Sequence, residues 1–415
     1  MWILLAMIAI MPFEINPYLK ISKSFLGVFP DFTMIKLLGL IGLGWVVLEL
    51  VGGRERLRLF EERQTRAFFV FLSIVTFASI ASGAGLTSLT RLLSIVFFLP
   101  LTLTAVRTEG NLRLALKASA LIMILTFPYA YRQVIRFGGR LGVGFYEPNY
   151  LALALLLLLP LPFVFARQES TGWKRKLWMA GMGVLLLELV LTGSRGAFLG
   201  LLVILLLLAF RLMKRPMLAL GGMACLLLMI FAFPTNLGHR LLASSIDTDI
   251  QDTGIRVSNE TRFRVLDAGL RMIQANPLTG VGLGNFKPSA LAYGAEVDKI
   301  AHNTYLELAA ELGLPALAAF LWLLHVTFAS LRRAGRLAVS AGRHDLAELA
   351  TVIRTGLAGY LVSAAFLSAE FEKFFWVVVF LSICLERIVA GLSKEAEAEP
   401  ALNQIRERRL AWRVW

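Results

Sequence analysis

The sequence predicts an all-α polytopic membrane protein of about twelve transmembrane helices with one large outward loop that contains short helices. Three observations predict it. Of 415 residues, 57% are hydrophobic and 17% charged, and the mean hydropathy of +0.71 is that of a membrane-embedded chain. Apolar runs recur from end to end with short connections between them. Basic residues gather in alternate connections, as they do in chains threaded through a bilayer.

Crossing a bilayer takes roughly 17 to 25 apolar residues per helix. Runs of that kind fall near 1–16, 34–51, 67–84, 88–106, 112–134, 148–166, 177–193, 196–212, 216–234, 305–331, 346–367 and 371–392. The opening MWILLAMIAIMPFEINP has neither a basic start nor a small-residue cleavage site, so it reads as a retained helix. The chain thus divides into transmembrane helices over 1–234, a loop domain over 235–304, further transmembrane helices over 305–392 and a tail over 393–415. Cys225 and Cys384 sit inside apolar runs and read as packing residues.

Orientation follows from the basic connections GGRERLRLFEERQTR, RTEGNLR, RQESTGWKRK, RLMKRP and RRAGRLAVSAGRHD and from the basic end RERRLAWRVW. The positive-inside rule makes these cytoplasmic, and both termini with them. The net charge of +14 is then largely a topology signal, and nucleic acid is not needed to explain it. Connections at 17–33, 134–147, 193–196, 235–304 and 368–370 face outward.

Outward loops need no arginine for topology, yet Arg132, Arg136, Arg140, Arg195, Arg240, Arg256, Arg262, Arg264 and Arg271 lie there. Arg195, in TGSRGAFLG, stands between two apolar runs. Gly193 permits a tight turn, Ser194 is positioned to cap the next helix, and Arg195 would open that helix beside unpaired backbone N–H groups. A guanidinium at a helix N-terminus is suited to an anion. An arginine snorkelling to lipid headgroups is the plainer alternative.

In the long loop, SNETRFRVLDAGLRMIQANP repeats Phe263, Leu266, Leu270 and Ile273 at helical spacing and ends at Asn276-Pro277. This helix is too short to span and is expected along the membrane surface or over a cavity. Arg262 falls about 60° from the centre of that apolar stripe, with Arg264 and Arg271 on the far side. The following LTGVGLGNF lacks the spacing of a nucleotide loop, so Gly280, Gly282 and Gly284 read as turn-formers. His325 is mid-span, His344 cytoplasmic and His239 in a loop. His302, beside Asn303, alone opens a helix on the outward side. An imidazole of ordinary basicity, about 6.5, is neutral at pH 7 and accepts a proton from a hydroxyl. The outward loops hold no carboxylate, Cys or His grouping at metal-ligand spacing, and no cofactor is expected.

The order TGSRGAFLGL, then RFRVLDAGLRMIQANPLTGVGLGNF, then AHNTYLELAAELGLPAL resembles the O-antigen ligase and polymerase superfamily of polytopic membrane glycosyltransferases. GFYEPNYLA, at 144–152, is similar to that family's entry to a middle helix. The resemblance implies the C-type membrane glycosyltransferase architecture. It further implies an inverting, metal-independent transfer of a glycan from undecaprenyl pyrophosphate to an acceptor hydroxyl at the periplasmic face of a bacterial inner membrane. The family's essential loop histidine maps onto His302 and its two essential arginines onto Arg195 and Arg262. Arg264 is the other candidate for the second arginine, and the helical-face argument favours Arg262. Arg136, Arg140, Glu147, Asn149 and Tyr150 are expected to line the donor site, with Asn303 beside the histidine. Ligation to the lipid A core is the first expectation. Polymerisation of O-antigen units and transfer to protein hydroxyls stay open within the family, and a lipid or anion transporter stays open outside it.

Overall fold

The computed structural model describes residues 1–13, 20–25, 29–52, 60–83, 86–137, 140–142, 147–209 and 252–411. The expected span at 216–234, the expected packing residue Cys225, and Arg240 and His239 lie outside them. Among the described residues seven helices are long and apolar enough to cross a membrane: Met34–Val51, Arg63–Ala81, Glu109–Arg136, Pro148–Gln168, Thr304–Ser340, His344–Phe366 and Lys373–Ala396. Trp2–Phe13, Ile95–Ala105 and Arg195–Leu208 are shorter apolar helices. The chain is a multi-pass membrane protein.

In chain order the helices are α1 (Trp2–Ile10), α2 (Met34–Val51), α3 (Arg63–Ala81), α4 (Leu86–Ala105), α5 (Glu109–Phe137), α6 (Pro148–Leu158), α7 (Pro160–Gln168), α8 (Gly172–Thr192) and α9 (Arg195–Leu208). The loop helix α10 (Asp252–Ala275) and the single turn α11 (Phe286–Ser289) follow, then α12 (Thr304–Ser340), α13 (His344–Ser363) and α14 (Lys373–Ala411). One feature departs from the all-α expectation. An antiparallel hairpin of β1 (Lys20–Phe25) and β2 (Phe29–Thr33) joins α1 to α2. Its KISKSF and FPDFT strands pair aromatic and polar residues in short extended runs, which suits a pleated pair better than a helix.

Within a bilayer helices gain little from excluding water, so they associate through close backbone approach at small residues. α13 is built that way. A Cβ on Gly359 would meet Ile204 at 2.6 Å and the Gly200 carbonyl oxygen at 2.8 Å, and one on Gly356 would meet the Leu157 carbonyl oxygen at 2.5 Å. Thus α9 and α6 both lie directly on α13. Gly359→Val is expected to separate α9 from α13, reducing the amount of folded protein in detergent and lowering its melting temperature. Cys384 is buried, its Sγ 3.8 Å from the Thr102 carbonyl oxygen.

The two ends of the bundle differ in chemistry. At one end the basic connections are tied into ion pairs: Arg113 with Asp345, Arg343 with Glu109 at 2.6 Å, Lys117 with Glu169 at 3.1 Å, Arg167 with Glu348 at 3.0 Å, and Arg387 with Glu62. The hydrogen bond from Lys117 holds the half-buried Glu169 carboxyl below the usual carboxylate range. Asp345 and then Glu109 push the Arg343 guanidinium further up. The start of α6, the α8–α9 turn, the start of α12 and the α13–α14 connection lie at the opposite end.

Candidate active site

The site is assembled around the short connection after α13, a 3₁₀ turn at Ala364–Phe366 followed by residues 367–372. Three helix starts converge on it. A Cβ on Gly196 would lie 3.0 Å from the Phe366 Cβ, so the first turn of α9 sits directly against this connection. The Tyr150 hydroxyl on α6 donates to the Ser368 carbonyl at 2.9 Å. The Thr304 hydroxyl, opening α12, donates to the Leu367 carbonyl at 2.6 Å and accepts from the Ala369 amide at 2.9 Å.

α9 begins abruptly because Gly193 adopts a left-handed conformation (φ 59°, ψ 28°) that only glycine takes without strain. Ser194 occupies the capping position, but its side chain makes no cap bond, contrary to expectation. The tight turn instead brings its amide 3.3 Å from the Thr192 Oγ1. The first amides of α9 therefore have no side-chain cap, and Arg195 stands exposed at the first helical position. Positive partial charge from the helix start and the guanidinium add at one place.

Arg140 reinforces that turn. Its Nε donates to the Thr192 carbonyl at 2.6 Å and an Nη donates to the Asn149 Oδ1 at 2.6 Å, while the Asn149 amide donates to Glu147 at 2.7 Å. Expected donor-site residues thus form a hydrogen-bonded chain linking the end of α8 to the start of α6. Arg136 lies exposed near the end of α5.

His302 is half-buried, and its φ of 50° is the one positive value at a non-glycine among the described residues. Such a conformation persists only where the surroundings hold it, and here they are specific. Asn303 caps α12, its Oδ1 accepting from the Tyr305 and Leu306 amides at 3.0 Å each, so that oxygen serves the helix start. Glu307 accepts from the amide of Ala301, the residue before the histidine, at 3.1 Å and from the Ser368 hydroxyl. Thr304→Val would leave the Leu367 carbonyl and Ala369 amide buried without that partner. A cost of about 1–3 kcal/mol per stranded group should appear as a lower melting temperature.

The loop helix is turned from its expected face. Val265, Ala268 and Met272 are buried, in a small core with Phe286, Ala290, Ala295, Ala301 and Ala310. Phe263 and Leu270, expected on the buried stripe, are 71% and 52% exposed. The small residues Ala268 and Gly269 allow close packing against Phe286 and Leu306, and this close fit outweighs the bulkier stripe. By position Arg262 stands one turn before Val265, about 90° from the centre of the face that is buried, so the observed face does not favour it over Arg264. Arg264 is ion-paired to Glu296, and Arg271 to Asp267 at 2.6 Å. Gly280, Gly282 and Gly284 all have positive φ, as turn-formers should.

Sequence reasoning missed Thr304, Glu307 and the acidic connection SAEFEK at 368–373. Two glutamates in a short polar break between spans were the available signal. Among the described residues no group of three or more His, Cys, Asp or Glu side chains is placed to hold a metal ion. The site presents a cation at an uncapped helix start, an imidazole on a strained turn and the buried Glu307 carboxylate joined to Ser368. These can bind an anion and move a proton.

A multi-pass membrane protein with a polar site at one end of its bundle is thus defined. Residues 180–321 match the family model described as O-antigen ligase, consistent with the O-antigen ligase superfamily, whose members are glycosyltransferase-like ligases and polymerases. That stretch carries Arg195, Arg262 and His302. No curated protein matches the chain.

Proposed function

We propose that the chain is an O-antigen ligase that transfers a polysaccharide from undecaprenyl pyrophosphate to a hydroxyl of the lipid A core at the periplasmic face of the inner membrane. The observation that carries this reading is the convergence of the α9 start, with Arg195, and the α12 start, with His302, on one connection. In the reaction the acceptor oxygen attacks the anomeric carbon from the face opposite the pyrophosphate. The carbon–oxygen bond to phosphate breaks, and its electron pair leaves on undecaprenyl pyrophosphate. His302 takes the hydroxyl proton, while Arg195 and Arg262 hold the pyrophosphate as its charge grows. Inversion follows from the single displacement. The phosphoester bond supplies the driving force, so the reaction needs no nucleotide. A lipid-linked donor also accounts for reactive groups placed where transmembrane helices end.

Ligation is preferred to polymerisation on the late position of the single long loop that carries the histidine. Cells lacking the gene are expected to accumulate long polymer on undecaprenyl pyrophosphate and to display core-only lipopolysaccharide on gels. A core bearing a single repeat unit would indicate polymerase, and an unchanged ladder would contradict both. Transfer by the purified protein is expected to proceed undiminished in EDTA, since the proposed charge stabilisation comes from arginine.

A further inference from the structure

Helix α12 breaks at Gly313 (φ 81°, ψ 168°), two residues before Pro315. A proline in a helix removes one amide and displaces the carbonyl four residues earlier, so the outer stretch of α12 should end in unsatisfied groups. The glycine loop satisfies them. The Val281 amide donates to the Ala310 carbonyl at 2.9 Å, the Gly282 amide to the Glu311 carbonyl at 2.8 Å, and the Leu314 amide to the Pro277 carbonyl at 2.8 Å. The buried Glu311 carboxylate then accepts from the Gly284 amide at 2.8 Å and the Phe286 amide at 2.9 Å. Two of the loop's backbone amides, those of Gly284 and Phe286, thus have a carboxylate of the same chain as their partner.

The fit is tight on both sides. A Cβ on Gly280 would lie 2.2 Å from the Glu311 carbonyl carbon, and one on Gly313 would lie 2.3 Å from the Leu278 carbonyl oxygen. Phe286, whose amide Glu311 holds, is fully buried against α10, where a Cβ on Gly269 would come within 3.0 Å of it. The same Gly269 Cβ would lie 2.9 Å from Leu306, in the first turn of α12. One continuous set of contacts runs from Arg262's helix through the loop to the helix that His302 precedes.

We infer that Glu311 is a positioning residue whose carboxylate clamps the loop 280–286 onto the break in α12, fixing Arg262's helix relative to His302. This rests on the reading of those two residues as the groups that meet donor and acceptor. Small displacements of reacting groups reduce turnover far more than they reduce binding, by about 10²-fold for roughly 1 Å. The clamp should therefore govern kcat more than KM.

The test uses the full chain in nanodiscs with an undecaprenyl-pyrophosphate-linked glycan and lipid A core. Glu311→Gln removes the charge, and Gly280→Ala obstructs the same docking from the loop side. Each is expected to lower kcat about 10- to 100-fold with donor KM within about twofold, and Glu311→Asp should recover part of the loss. The double variant should lose no more than the worse single one, because both act on one contact. Spin labels on α10 and on the first turn of α12 should report a broadened distance distribution in both variants. Unchanged kcat, losses that merely follow the folded fraction, multiplicative losses in the double variant, or an unchanged label distance would each overturn the inference. If the distance broadens in the variants while the wild-type protein transfers no glycan, the clamp stands and the ligase reading fails.

Discussion

Replacing His302 with alanine is expected to reduce kcat about 10²- to 10⁴-fold, the usual contribution of a positioned general base, while the protein remains folded. Two effects have to be separated. The residue has φ of 50°, so alanine changes the backbone preference as well as removing the imidazole. His302→Asn resolves this, because asparagine tolerates the left-handed region and cannot take up a proton at neutral pH. If the imidazole is the proton acceptor, the asparagine variant will fold normally, bind donor and fail to turn over. Recovery of most activity by asparagine would make the turn, and not the imidazole, the important feature. The measurement is kcat for release of undecaprenyl pyrophosphate, with melting temperature as the folding control.

Arg195→Ala is expected to reduce kcat about 10²- to 10³-fold, the scale of removing one preorganised donor from a developing oxyanion. The guanidinium stands exposed at the first position of α9, beyond a turn whose serine supplies no cap, so little else at that helix start competes with a phosphate for it. Arg195→Lys keeps the charge but loses the forked donor geometry and should fall between wild type and alanine. Equal activity of all three would remove Arg195 from the mechanism and return it to headgroup anchoring. Since Arg195 is not needed to terminate α8, where Gly193 makes the turn, neither substitution should lower the melting temperature appreciably.

Much of the arrangement was legible in the residues. Seven of the twelve expected spans correspond to helices long and apolar enough to cross a membrane among the described residues, because hydrocarbon demands internally satisfied backbone. Separation of the basic connections from the candidate site followed from alternate placement of charge. Arg195 and His302 stood out in the residues because each interrupts a local rule, a charge between apolar runs and a histidine expected alone on the outward side. What escaped was tertiary. The apolar residues of α10 suggested Phe263 and Leu270 as its buried face, but Ala268 and Gly269 let another face pack more closely. Ser194 had the right identity for a cap, yet the αL turn at Gly193 holds its amide near Thr192. Glu307 and Glu311 carry no signal in the sequence that sets them apart from other polar residues of a helix. Their roles exist only once Ser368 and the glycine loop are folded against them. The hairpin at 20–33 was missed because a short extended pair between spans leaves no period long enough to read.

Under the proposed function this end of the bundle breaks the donor's glycosyl–phosphate bond and does not merely carry the lipid. The most direct test is to reconstitute the purified chain with undecaprenyl-pyrophosphate-linked glycan and lipid A core, and to count freed undecaprenyl pyrophosphate against glycosylated core. One equivalent of each per turnover, abolished in His302→Asn, is the predicted result. Donor moved across the bilayer with its glycan still attached would contradict the account and make the protein a transporter.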